Sequence, residues 1–266
     1  GTHMNSFDSD GFTVTRGSSS RTNENGQTYV GWNWKAGGSG VSNSDGAQTT
    51  TVSANTTSGF SIVTGTGTGS STTYGHGLGV EPKIIIIKSR SAADNWYFFT
   101  SSIDGIPYNT WQYSKLDTTN AFASTTEIAN NTTTFSTSYG SGVTFVAYCF
   151  AEIPGFSQFG IYEGTGSSNG PHKNLNFRPG WIMVKETGTN DRGWNIWDTK
   201  RAPDNEVYEE LMAQVSNAES MHKALDIMSN GFKLRSDSDG GSYNGNGRIL
   251  FYMAFAEAPF KYANAR

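Results

Sequence analysis

The longest apolar runs in the chain are short. In Phe145-Val146-Ala147-Tyr148-Cys149-Phe150 and in Ile84-Ile85-Ile86-Ile87 both odd and even positions are apolar. Such runs suit central strands covered on both faces. Elsewhere apolar and polar positions alternate, and clusters of Gly, Asn and Ser interrupt the alternation, as expected of half-buried strands joined by turns. The pattern predicts strands at 59–64, 82–89, 96–100, 110–115, 133–136 and 143–151, then at 155–162, 180–186, 194–198, 232–235 and 248–257. One stretch departs from it. Over 204–228, Val207, Leu211, Val215 and Leu225 have partial helical spacing behind Asp204 as an N-cap, which predicts a short helix at most.

The two series of strands are copies. Gly59-Phe60-Ser61 leads to Pro82-Lys83, the isoleucine run, Lys88 and Asn95-Trp96; Gly155-Phe156-Ser157 leads to Pro179-Gly180-Trp181-Ile182-Met183-Val184-Lys185 and Gly193-Trp194. The block 142–152 matches 247–257, and both end in Phe-Ala-Glu, at Glu152 and Glu257. A partial third copy lies upstream: 26–36 matches the same block, and Gly11-Phe12-Thr13-Val14 matches Gly231-Phe232-Lys233-Leu234. A lone strand pair is unstable in water, so 11–36 is expected to lie against the edge of the first complete unit. The expected fold is all-β: two tandem β-sandwich, jelly-roll-like units at 5–152 and 153–266, the first including the partial repeat 7–36, an N-terminal strand pair from a preceding unit. Residues 1–4 read as a tag remnant, and 260–266 as a natural chain end.

Composition narrows the function classes. Charged residues are 16% of the chain, below the roughly 25% of ordinary globular proteins, so hydroxyls and amides must face much of the water. Net charge is −4 with no basic run, which argues against a nucleic-acid partner. No apolar stretch reaches the roughly 18–20 residues of a membrane helix, so no membrane insertion is expected. The single cysteine, Cys149, reads as a buried small hydrophobe, and its solitude rules out an intrachain disulfide. No disulfides fits assembly in a reducing compartment.

Candidate chemistry is sparse. His76, His172 and His222 lack metal-ligand spacing, and no nucleophile elbow is flanked by strand and helix. Glu152 and Glu257 could form an acid pair for glycoside hydrolysis, but their repetition favours strand-end structural roles. Lys88 and Lys185 read as strand-end lysines whose heads snorkel to water. The turn 236–241, with Asn244 and Asn246, offers oxygen ligands for calcium without the closing Glu of an EF-hand. No catalytic residue, cofactor or metal is therefore expected. Aromatics mixed with amides and carboxylates are the best binding lead, because sugars pack on rings while Asp and Asn take their hydroxyls. Asp94, Asn95, Trp111 and Tyr113 form one such cluster, and Asp191, Arg192 and Trp197 the other. The repeat-fixed Trp96 and Trp194 are expected in the core; Trp111 and Trp197, without clear counterparts, are the rings left open to exposure.

Four blocks carry a family resemblance: Gly75-His76-Gly77-Leu78-Gly79-Val80-Glu81-Pro82-Lys83, 145–152, Ser229-Asn230-Gly231-Phe232-Lys233-Leu234-Arg235 and 254–266. Together they resemble a repeat domain frequent in tail-fibre and other virion proteins of tailed phages, many of them marine. Phe7-Asp8-Ser9-Asp10-Gly11-Phe12 resembles the closing part of a preceding unit. The resemblance implies a location, an outer virion appendage near a host-facing end and often a homotrimer, and brings no catalytic residues. The expected function is a tail-fibre adhesin that recognises host cell-surface polysaccharide. The alternatives are a purely structural virion spacer or trimerisation module and, less favoured, a polysaccharide depolymerase.

Overall fold

The computed structural model describes residues 4–8, 11–15, 22–101, 111–236 and 242–258. Among them the chain is all-β, in two compact units, Gly1–Trp34 and Lys35–Arg266. No helix is long and apolar enough to cross a membrane.

The first unit holds a hairpin of β1 (Met4–Asp8) and β2 (Gly11–Val14). The second contains β3 (Val41–Asn43), β4 (Thr50–Asn55), β5 (Phe60–Thr66), β6 (Thr72–Gly75), β7 (Ile84–Ser89), β8 (Tyr97–Thr100), β9 (Gln112–Lys115), β10 (Ala123–Ser124), β11 (Thr134–Thr137) and β12 (Thr144–Phe150). It continues through β13 (Ser157–Glu163), β14 (His172–Asn174), β15 (Pro179–Glu186), β16 (Trp194–Asp198), β17 (Val207–Met212), β18 (Ser220–Met228), β19 (Gly231–Leu234) and β20 (Ile249–Ala256).

The repeat in sequence is a repeat in topology. The first large sheet runs β10-β9-β8-β7-β12-β5-β4-β3, with β11-β6 as a separate pair. The second runs β13-β20-β15-β16-β17-β18-β19-β14. Reading β13 for β5, β20 for β12 and β15 for β7, the run β5-β12-β7-β8-β9 of the first copy recurs as β13-β20-β15-β16-β17 in the second. The apolar runs take the central places expected of them: β12 lies between β5 and β7, and β20 between β13 and β15. In the first copy the β6–β11 pair covers one face of the sheet, so Tyr74 and Phe135 share a core with Val63, Ile85, Ile87 and Phe145. In the second the sheet curls over itself at β17, so Ile182, Val184 and Tyr252 share a core with Leu225, Ile227 and Phe232.

The expected helix is absent. Residues 207–212 and 220–228 form β17 and β18, and Val207, Leu225 and Ile227 turn inward together from paired strands. Val215, which completed the helical spacing, is 42% exposed in the connection between them. Burial on the sheet decided the local structure over a weak periodicity. The strand expected within 26–36 is also absent. Its counterparts β12 and β20 each have two strand neighbours, and no described residue supplies either for 26–36. β2 pairs with β1, placing Phe7 opposite Phe12 and Asp8 opposite Gly11, just as β18 and β19 set Ile227 opposite Phe232 and Met228 opposite Gly231.

The two repeats also pack on each other. The outer faces of both large sheets are apolar. Ile84, Phe98 and Phe150 of one, with Met183, Trp194, Ile196, Phe251, Met253 and Phe255 of the other, are buried outside both inner cores. Phe98 meets Trp194 at 4.7 Å and Phe251 at 5.5 Å between centroids, and the equivalent Phe150 and Phe255 meet at 5.9 Å. The Trp194 indole N–H donates to the Lys115 carbonyl at 3.0 Å, and the Phe122 amide donates to the Thr187 carbonyl at 2.9 Å. Burying each such ring contributes about 1.5–3 kcal/mol, so this middle layer is a third core that joins the copies.

Candidate functional site

Of the two clusters expected to bind sugar, one has its ring in the core and the other has half-buried rings. Trp197 is fully buried, with its ring 5.1 Å from Tyr243, and has no face to offer a ligand. Its ladder position opposite Ile182 makes it the counterpart of Phe99, which opposes Ile85 in the first core. Asp191 is exposed beside Arg192 at 3.5 Å, and the Thr189 hydroxyl and Arg192 hold its carboxyl below the usual range. In the first copy Trp111 and Tyr113 pack partly buried against the inner core, Tyr113 within 6.5 Å of Tyr97 and 6.1 Å of Phe99. Asp94 and Asn95 cap the turn before β8: the Asp94 carboxylate accepts the Asn95 amide at 2.8 Å, and its carbonyl accepts the Lys88 ammonium.

Other candidates resolve into structural roles. His76 is buried, with its Nδ1 accepting from the Leu78 amide at 3.2 Å and its Nε2 facing the Asn131 carbonyl at 3.1 Å; burial lowers its pKa. Lys185 does not snorkel. Its side chain is buried, donates to the Glu186 carbonyl at 2.7 Å, and desolvation lowers its pKa to about 8. Glu257 pairs with Arg178 at 2.9 Å. Most of the turn proposed for calcium, 237–241, lies outside the described residues. Asn244 beside it uses its amide on the Ser167 and Ser236 carbonyls and its oxygen on the Thr165 amide. Among the described residues no three His, Cys, Asp or Glu gather as metal ligands.

A site does form where the repeats meet, along β13. In the first copy the outer edge of β5 is covered by β4 and β3, and Gln48 bridges onward to Tyr74 of β6, closing that side of the sandwich. The second copy has only residues 153–154 where the first has 37–58, and among the described residues β13 ends its sheet. Side chains cap the edge instead. The Phe159 amide donates to the Glu152 carboxylate at 2.6 Å, and Lys173 of β14 reaches across to the Ile161 carbonyl at 3.1 Å.

Beside this edge is a cavity of about 350 Å³. The first repeat contributes Lys83, Thr100, Ser101 and Glu152; the second contributes Gln158, Phe159, Gly160, Ile161, Lys173, Phe251 and Tyr252. Gly160 gives the ring room here, because a Cβ would stand 3.1 Å from the Tyr252 hydroxyl and 3.2 Å from its ring. Burial and the nearby Glu152 raise the Tyr252 pKa, so its hydroxyl stays a donor. Lys173 lies 5.3 Å above the Tyr252 ring, a cation–π distance. Two side-chain oxygens of lining residues, Ser101 Oγ and Gln158 Oε1, are buried and make no hydrogen bond. Each costs about 1–3 kcal/mol unless something satisfies it. Of these residues the sequence reading singled out only Glu152; the readable signal for the rest was the missing segment before Gly155.

A family model matches residues 1–259, through the N-terminal hairpin and both repeats, and is described as a domain of unknown function, DUF7483. The chain belongs to the DUF7483 family. No curated protein and no solved structure matches it. The DUF7483 match covers both repeats as one unit, so the cavity between them is internal to the family's own domain.

Proposed function

We propose that this DUF7483 chain is a non-enzymatic adhesive component of a tailed-phage virion, part of a fibre or other outer appendage, and that it recognises a cell-surface polysaccharide of the host. The observation that carries the reading is the cavity between the repeats. It combines two unpaired buried oxygens, the Tyr252 hydroxyl and the Phe159 ring, which are groups that suit a sugar's hydroxyls and its apolar face. Duplicated sheets with a neutral, hydroxyl-rich surface suit a particle's exterior, and the resemblance of the 75–83 and 145–152 blocks points the same way. The test is binding of the intact chain to host cells and to their isolated surface glycans. Binding that Gln158→Leu weakens is the expected result; no binding to either cells or glycans removes the reading.

The second reading, a spacer or trimerisation module, is favoured by one feature. The β1–β2 register repeats that of β18–β19, as in an array of repeats. A homotrimer in solution that binds no cell would favour it. Release of reducing sugar ends from host polysaccharide would favour a depolymerase instead.

A further inference from the structure

We infer that the cavity between the repeats selects an acidic saccharide, its carboxylate held by Lys173 and Lys83 and its hydroxyls by Gln158 and Ser101. The inference rests on the adhesin reading for its biological setting, but its argument is local. Among the described residues two ammonium groups and one carboxylate line the cavity, an excess of one positive charge in a chain of net charge −4. The carboxylate, Glu152, already accepts the edge amide of Phe159. Lys173 is differently placed. Its ammonium bonds a neutral carbonyl, Ile161, and stands over the Tyr252 ring, and no described carboxylate lies within 4.0 Å of it. An ammonium has three donors, so this lining lysine keeps donors to spare. Lys83 meets Glu81 only at 3.9 Å, with both side chains more than a third exposed, a pairing that an incoming carboxylate replaces at little cost.

The remaining lining reads as the neutral part of the same recognition. Gln158 Oε1 accepts from a ligand hydroxyl, and Ser101 Oγ either donates or accepts. The cavity volume, about 350 Å³, is near the low end of the roughly 300–1,000 Å³ typical of small-molecule sites, so it admits a sugar-sized group and not a folded partner. The first copy offers no equivalent space, because β4 occupies the matching edge of β5.

Calorimetry on the intact chain tests this with two probes, a disaccharide of galacturonate and the neutral galactose disaccharide of the same linkage. The acidic probe is expected to bind about tenfold tighter at low salt, with the gap closing as salt is raised. Lys173→Gln and, separately, the more exposed Lys83→Gln are expected to narrow that gap, whereas Gln158→Leu weakens both probes alike. Equal affinity for the two probes, or a preference that survives both lysine substitutions, overturns the inference and leaves host adhesion intact. Failure of both probes to bind also overturns it. Loss of cell binding with the acidic preference retained removes the adhesin reading alone.

Discussion

Trp96 and Trp194 occupy the same place in the two repeats, on the outer face beside equivalent strands, yet Trp96 is 37% exposed and Trp194 is fully buried. Trp96 stacks on Tyr148 at 6.3 Å near the rim of its sheet. Trp194 lies between the copies, against Phe98 and Phe122. The same inequality runs through other pairs. Lys88 is half-buried and bonds a loop carbonyl, whereas its counterpart Lys185 is sealed beneath the middle layer. Val63 opposes Ala147 in the first core, and Gly160 opposes Tyr252 in the second, a large-for-small exchange across one ladder. A duplicated sequence thus gives two copies of a topology, but packing the copies together makes their equivalent residues unequal.

The largest test of that inequality is the tryptophan pair. Trp194→Ala is expected to cost about 3–5 kcal/mol of unfolding free energy in urea titrations, the usual cost of emptying a large aromatic site. Trp96→Ala is expected to cost under about 1 kcal/mol, because much of its ring already meets water. Equal costs would mean that the middle layer does not join the copies.

The exchanged core pair gives the next effect. Tyr252→Ala leaves a cavity and is expected to cost about 3–5 kcal/mol, and Gly160→Val overpacks against the Tyr252 ring at about 1–3 kcal/mol. The double variant rebuilds the Val–Ala pairing of the first repeat, so it should be less destabilised than the sum by about 0.5–3 kcal/mol. Additive costs in a double-mutant cycle would break the equivalence of the two ladders.

Lys185 sharpens the comparison through pH. Its pKa is about 8 when folded against 10.5 as an ordinary lysine. Between those values the unfolded chain holds more protons, so stability rises with pH across the window, and below about 8 the burial penalty is present in full. Thermal or urea unfolding of the wild type between pH 8 and 10 should show that rise relative to Lys185→Met. The smallest effect concerns Cys149. Burial pushes its thiol up to about 12, so a thiol reagent at neutral pH should label it only as fast as the chain unfolds.

Much of the architecture was legible in the sequence because strand periodicity and a duplicated pattern are local, additive signals. The central strands β12 and β7 were visible as runs apolar on both faces, and the equivalence of the copies as recurring Pro-to-Lys and Phe-Ala-Glu spacings. The errors arose where context outweighed pattern. Val207, Leu211 and Leu225 had a weak helical spacing that the curled sheet overrode. Trp96 and Trp197 exchanged expected environments, because exposure of a ring depends on what lies across from it and not on its own neighbours in the chain.

The amino-acid order by itself determined an all-β chain built twice, with its strands in nearly the right places and its lone cysteine buried. Only the tertiary structure decided that the two copies share a third core, that β13 is left as an edge, and that Ser101, Gln158 and Lys173 converge on one cavity. The physical reason is distance along the chain. Alternation and turns are set by adjacent residues, whereas a cavity lined by residues from 83 to 252 exists only once non-local surfaces have met.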